Sequence, residues 1–303
     1  MEYVLKTDKL NKRYKKFKAL NQVSLSVPKG AIYGFVGRNG AGKTTLIRVI
    51  SGLNLPTNGN YSLFGVDYKD PKIADSRKKV GAVVETPSIY LNLTAKENLK
   101  MQCRVLGKDF SCVDGLLELV GLKDTGKKLA KDFSLGMRQR LGIAFSLVAD
   151  PEFLILDEPI NGLDPQGIIE VREMLIKLNR EKGITILISS HILDELAKLA
   201  THYGFIEGGR IIKEMSAEEL EEACRKVTTI TVDDIGVLEG YLKETGADYK
   251  IISDKEAEVY SHVVVTPLVL ALSERKCIVE KINERHESLE SYFIGLVGGA
   301  SNE

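Results

Sequence analysis

The chain has 303 residues, room for one large domain or two smaller ones. At 44% hydrophobic it can bury a sizeable core, which excludes global disorder. Lysine plus arginine and aspartate plus glutamate balance at 42 each, and the missing basic excess argues against a general nucleic-acid binder.

The run Lys12-Arg13-Tyr14-Lys15-Lys16-Phe17-Lys18 reads either as a solvated turn or as a functional patch. Residues 1–85 otherwise read mostly as strands. Val23 to Val27 alternates apolar and polar, and Ala31 to Val36 is a short apolar strand. Lys43 to Ile50 reads as a helix ending near Gly52, and Asn58-Gly59 as a turn ahead of the strand Tyr61 to Phe64. The character changes at 94–149, which looks helical: Thr94 with Glu97 makes a capping box, and Asp114 to Val120 and Leu135 to Ala149 follow. From 153 the pattern is strand, helix, strand, helix, strand. Phe153 to Leu156 and Thr185 to Ile188 are unbroken apolar runs, and Ile168, Val171, Leu175 and Leu178 share one helical face between them. That alternation argues for an α/β parallel sheet.

A separate segment begins near 216. After a charged helix, Ala217 to Lys226, the expected order is strand 227–233, helix 235–245, strands 249–253 and 257–261, helix 267–276 and strand 277–283. This β-α-β-β-α-β order is ferredoxin-like. Leu289, Tyr292, Phe293 and Leu296 form a stripe on a closing helix. Cys103, Cys112, Cys224 and Cys277 lack zinc spacing and suit a reducing cytoplasm. No apolar segment follows Met1, so a secretory signal is not expected; Leu141 to Ala149 and Val263 to Leu272 fall short of the roughly 20 residues that span a bilayer.

The densest chemistry lies at Gly37-Arg38-Asn39-Gly40-Ala41-Gly42-Lys43-Thr44-Thr45, which fits G-x-x-x-x-G-K-[ST]. Glycines let successive backbone N–H groups curl around phosphate oxygens, and the following helix adds its positive end. Lys43 is placed to reach the β- and γ-phosphates and Thr44 to ligate Mg²⁺. The loop follows an expected strand and opens an expected helix; a purely structural glycine turn is the competing reading. Its glycines run G-x-x-G-x-G, which excludes a dinucleotide fingerprint.

Phe153-Leu154-Ile155-Leu156-Asp157-Glu158-Pro159 is an apolar strand ending in two carboxylates. Ligands of open α/β sheets bind at that carboxyl edge, so Asp157 is placed for the Mg²⁺ shell and Glu158 as general base toward water. Alone, such a pair is usually a solvated loop; beside the phosphate loop it reads as catalytic.

Over about residues 3–215 the chain resembles the nucleotide-binding subunit of ATP-binding-cassette (ABC) transporters. Tyr14 resembles the aromatic on which adenine stacks, Phe133-Ser134-Leu135-Gly136-Met137 the signature motif, Asn161-Gly162-Leu163-Asp164 the D-loop, and Ser190-His191 the switch histidine. The resemblance implies a P-loop NTPase fold with a parallel-sheet core, an antiparallel β subdomain and a helical subdomain at about 88–149. It spans 1–215, with a smaller α+β, ferredoxin-like domain at 216–303. It also implies head-to-tail dimers in which ATP lies between one chain's phosphate loop and its partner's Ser134 and Gly136, with His191 sensing the γ-phosphate. A membrane permease would be a separate chain and would hold this subunit at the cytoplasmic face.

Departures from the pattern stand at Leu135 and Met137, where glycine and glutamine are usual, at Asn161 for serine, and at Glu85 for glutamine. Glu85 remains a hard oxygen ligand for Mg²⁺. With Val80 to Pro87, Tyr90 to Thr94 and Glu97-Asn98-Leu99, it resembles the subgroup exporting bacitracin-type and lantibiotic-type peptides. Two other classes stay open at this point: a soluble ABC-type ATPase acting on ribosome or DNA, and a weakly catalytic regulatory module. The first normally carries two cassettes or a long coiled coil, and no sustained heptads appear here.

Overall fold

A computed structural model describes residues 2–224, 227–261, 263–285 and 289–300. Arg225 and Lys226, the end of the expected charged helix, lie outside them. The chain falls into two compact units, Met1–Ala217 and Glu218–Glu303.

In the first unit β1 (Tyr3–Tyr14) and β2 (Phe17–Pro28) make a long antiparallel hairpin. The basic run forms its exposed tip, where Lys15 takes a positive φ of 52°. The buried strand β3 (Ile32–Val36) leads into α1 (Lys43–Ile50). β4 (Asn58–Leu63) and β5 (Val66–Asp67) complete an antiparallel sheet of order β2-β1-β4-β5. Asn58-Gly59 is therefore not a turn but the start of β4. Gly59 holds φ +85° because the pairing with β1 is irregular there, and a Cβ at this position would collide with the Lys9 carbonyl. The sequence signal was a real demand for positive φ, met inside a sheet.

Next come α2 (Ile73–Lys78), β6 (Val80–Val83), α3 (Ala95–Val105), α4 (Cys112–Leu119) and α5 (Leu135–Leu147). The capping box forms: Thr94 Oγ1 accepts from the Glu97 amide at 3.2 Å, and the Thr94 amide donates to Glu97 Oε2 at 2.9 Å. β7 (Phe153–Asp157), α6 (Pro165–Lys182), β8 (Thr185–Ser190), α7 (Leu193–Ala197), β9 (His202–Glu207) and β10 (Arg210–Ser216) follow. A six-stranded sheet runs β10-β9-β3-β8-β7-β6, parallel except for β10 on its edge. β3, β7 and β8 are buried along their whole length, as sheets covered on both faces require. Leu46, Ile47, Val49 and Ile50 of α1 are 0% exposed and join one core with residues of both sheets. At roughly 1.5–3 kcal/mol per buried side chain, this packing fixes where α1 begins.

In the second unit α8 (Ala217–Ala223), which opens at its border, precedes β11 (Val227–Val232), α9 (Ile235–Glu244), β12 (Tyr249–Ile251), β13 (Glu256–Val259), α10 (Val265–Glu274), β14 (Val279–Arg285) and α11 (Leu289–Ala300). The sheet order is β12-β13-β11-β14, every pair antiparallel. Its own core holds Ile230, Val232, Leu238, Leu242, Val259, Leu268 and Leu272.

Candidate functional site

Parallel pairing brings three strand ends to one edge. Val36 at the end of β3 is level with Ser190 of β8, and Asp157 at the end of β7 is level with Ser189. The loop Gly37 to Gly42 leaves β3 at that edge, with Asn39 and Gly40 exposed and Ala41 buried. Gly42 is the N-cap of α1 at φ 113°, and a Cβ on it would stand 2.7 Å from the Ala19 carbonyl oxygen, so only glycine fits. No side chain caps α1, and its first turn holds no acid. The amides of Lys43, Thr44 and Thr45 thus keep their donors for an external acceptor, and an anion suits them best. Thr44 and Thr45 are half-buried at this position.

Lys43 is 5% exposed and curls back into its own loop. Its Nζ donates to the carbonyls of Gly37 at 2.5 Å and Arg38 at 3.2 Å, and pairs with Glu158 Oε1 at 3.2 Å. The other Glu158 oxygen meets His191 Nδ1 at 2.7 Å. Glu158 is therefore held between Lys43 and His191, on a backbone at φ 49°. Asp157 is 2% exposed; Ser189 Oγ donates to its Oδ1 at 2.7 Å and accepts the Glu158 amide at 2.9 Å. One hydroxyl thus orients both carboxylate-bearing residues. Sequence reasoning passed over Ser189; two polar residues closing an otherwise apolar buried strand were the available signal.

Glu85 lies outside this network. It is exposed, at φ 60°, and the Arg48 Nη2 donates to both its oxygens at 2.9 Å. Arg48, one helical turn beyond Thr44 on α1, was also missed. Tyr14 is 40% exposed at the hairpin tip; its hydroxyl accepts from Asn54 Nδ2 at 3.0 Å, and the Lys12 ammonium stands 5.2 Å from its ring centroid.

Ser134 is the exposed N-cap of α5, accepting from the Met137 amide at 3.2 Å. Its oxygen is used within the chain while its O–H can still donate outward. At Gly136 a Cβ would meet nothing closer than 3.7 Å. Nothing inside this chain requires glycine there. Asp164 caps α6, accepting from Gly167 N at 3.1 Å, ahead of Pro165 in the first turn. The structure thus brings Lys43, Glu158 and His191 into direct contact and Asp157 beside them through Ser189. Tyr14, Glu85 and Ser134 bond to other residues, and Gly136 stands at the start of α5.

The segment after His191 is anchored by Arg172 of α6, whose Nη1 donates to Glu195 of α7 at 2.6 Å, with both side chains under 20% exposed. The Lys198 hydrogen bond, then the charges of Lys198 and Arg172, hold the Glu195 carboxyl below its usual range. A depressed folded value stabilises above the ordinary carboxylate pKa, and the contribution is lost as pH falls through the folded one. Arg172→Ala is expected to cost about 1–3 kcal/mol in urea unfolding at neutral pH and less in acid.

Three comparisons bear on this arrangement. The ABC transporter family profile matches residues 20–161. The bacitracin transport ATP-binding protein BcrA of Enterococcus faecalis is 42% identical, over 99% of this chain and 98% of that one. The lantibiotic transport ATP-binding protein SrtF of Streptococcus pyogenes is 45% identical over 72% of this chain and 95% of its own. Among solved structures, the ADP conformation of MJ1267, an ATP-binding cassette of an ABC transporter, superposes with a TM-score of 0.65 at 28% identity, covering 72% of this chain and 92% of that one. The strand-end carboxylates, the uncapped phosphate-loop helix and likeness over almost the whole chain agree: the protein belongs to the ABC transporter family and is one of its ATP-binding, ATP-hydrolysing subunits.

Proposed function

We propose that this subunit powers export of antimicrobial peptides or antibiotics through a separate membrane permease. The observation that carries the reading is the 42% identity to a bacitracin transport subunit across both units, second unit included. No helix among the described residues is long and apolar enough to cross a membrane. In this reading another chain supplies the pore, and the subunit would sit at the cytoplasmic face through it. A groove of about 620 Å³ between the edge strand β6 and helices α3 and α5, lined by Val83, Gln102, Leu106 and Phe145, suits a permease helix beside Glu85. The ribosome, DNA and regulatory readings lose ground because these relatives are transport subunits.

In this reading the ATP phosphates lie on the Gly37–Thr45 amides, with the Lys43 ammonium turned onto the β- and γ-phosphates. Gly37, Asn39, Gly40, Ala41, Gly42, Thr44 and Thr45 form the cradle. Thr44 and Asp157 supply hard oxygen donors suited to Mg²⁺, and Glu85 joins them once Arg48 releases it. The bound ion would supply positive charge to orient the triphosphate. Glu158 takes the proton of the attacking water, and His191, already on its carboxylate, holds it toward the γ-phosphate. Ser134 and Gly136 of a second copy close the site; the exposure of Ser134 and a glycine at 136 that this chain's own packing does not demand support a head-to-tail homodimer. The second unit, 216–303 in the sequence division, would be a ferredoxin-like accessory domain, supported by its β-α-β-β-α-β order and all-antiparallel sheet.

Co-purification with the membrane protein encoded beside this gene tests the proposal. A stable complex with ATPase activity stimulated by a peptide antibiotic is expected, and a chain that never associates with such a protein ends it. Tyr14→Ala is expected to weaken ATP and GTP binding alike, by about 1–3 kcal/mol, as loss of base stacking does elsewhere, read in competition titrations.

A further inference from the structure

Two thiols at the junction of α3 and α4 take no part in the nucleotide site. Cys103, near the end of α3, is 0% exposed, and Cys112, the first residue of α4, is half-buried. Their Sγ atoms lie 3.8 Å apart. That is sulfur–sulfur contact, and a disulfide at about 2.0 Å would require each atom to move by roughly 1 Å. The intervening loop lies at the surface, with Gly107 at φ +65° and Phe110 exposed, and the shift needed is of side-chain size. The two thiols also differ in access. Cys112 lines an open cavity of about 740 Å³ with Asp109, Ser111 and Leu116, whereas Cys103 is walled in. Burial first, then the hydrogen bond to Cys112, pushes the Cys103 thiol up to about 11.

We propose that Cys103 and Cys112 form a reversible dithiol–disulfide site, with Cys112 the entry point for small disulfides of the glutathione class. The Cys112 thiolate attacks one sulfur of the oxidant; a mixed disulfide forms and one small thiolate leaves, taking up a proton. Cys103 then loses its proton to solvent and attacks the Cys112 sulfur. The Cys103–Cys112 bond forms and the second small thiolate departs. Two protein thiols are oxidised and one small disulfide is reduced to two thiols. The weak acidity of Cys103 makes the second step the slow one. Gln102, Val105 and Leu106 flank Cys103 on α3 and line the groove against β6. A bond to α4 would stiffen that wall and leave the phosphate loop untouched. This consequence rests on the docking reading; the thiol chemistry does not.

The test treats the purified full chain with oxidised glutathione, quenches exchange in acid, denatures in the presence of a thiol-blocking reagent, and maps peptides by mass spectrometry before and after reduction. The expected result is a Cys103–Cys112 crosslinked peptide without retained glutathione, reversed by reductant, with ATP affinity unchanged within twofold. Cys103→Ser is expected to keep glutathione on Cys112. Cys112→Ser, at the more accessible position, is expected to leave Cys103 unoxidised, so the assignment stands even if the buried substitution unfolds. Wild-type protein that retains glutathione on Cys112 with Cys103 still alkylatable, that leaves both thiols free, or that links either to Cys224 would overturn the proposal.

Discussion

Lys43→Ala is expected to weaken ATP binding severely. The ammonium is 5% exposed and is the cation closest to the carboxylate-bearing strand end, at 3.2 Å from Glu158. Losing one partner of a desolvated charge pair costs about 2–5 kcal/mol, roughly 30- to 5,000-fold in Kd. Titration calorimetry with ATP and Mg²⁺ reads the loss directly. The fold should survive, because the core under α1 is made by Leu46, Ile47, Val49 and Ile50 rather than by Lys43. Unaltered affinity in a folded variant would remove the loop from the nucleotide site.

Glu158→Gln is expected to do the opposite to binding. The carboxylate that occupies Lys43 becomes neutral, so the ammonium is released to phosphate, and ATP should bind at least as tightly as in the parent. Hydrolysis should fall by about 10²- to 10⁴-fold, the usual worth of a positioned general base. Retained ATP should then hold two copies together, seen as a dimer by light scattering that persists until nucleotide is removed. A variant that hydrolyses at the parental rate would strip Glu158 of that role. One that binds ATP without dimerising would place the trapping contact outside Ser134 and Gly136.

Much of this was legible before any coordinates, for a physical reason. The phosphate loop combines glycine geometry with a hydrophobic strand before it and an amphipathic helix after it, and all three signals are local. The Thr94–Glu97 box is equally local and forms. What escaped depends on partners distant in sequence. Ser189 is one of many serines until β8 is laid beside β7. Arg48 reads as a solvated helix residue until Glu85 is folded against it. Asn58-Gly59 was misplaced because positive φ serves a hairpin turn or a sheet irregularity equally well, and only the pairing with β1 decides. The double use of the Ser134 oxygen follows from its N-cap position, which its pattern in the sequence also permits.

The grip of Arg48 on Glu85 has a bearing on chimeras. A segment spanning residues 80–94 transplanted from a cassette with glutamine at position 85 would leave the guanidinium of α1 without its counter-ion, while the reverse graft onto an uncharged position 48 would leave the Glu85 carboxylate without its own. The two positions, 37 apart in the chain, form a unit of exchange: a breakpoint between them splits an exposed ion pair and should cost up to about 1 kcal/mol, which moving both residues together avoids.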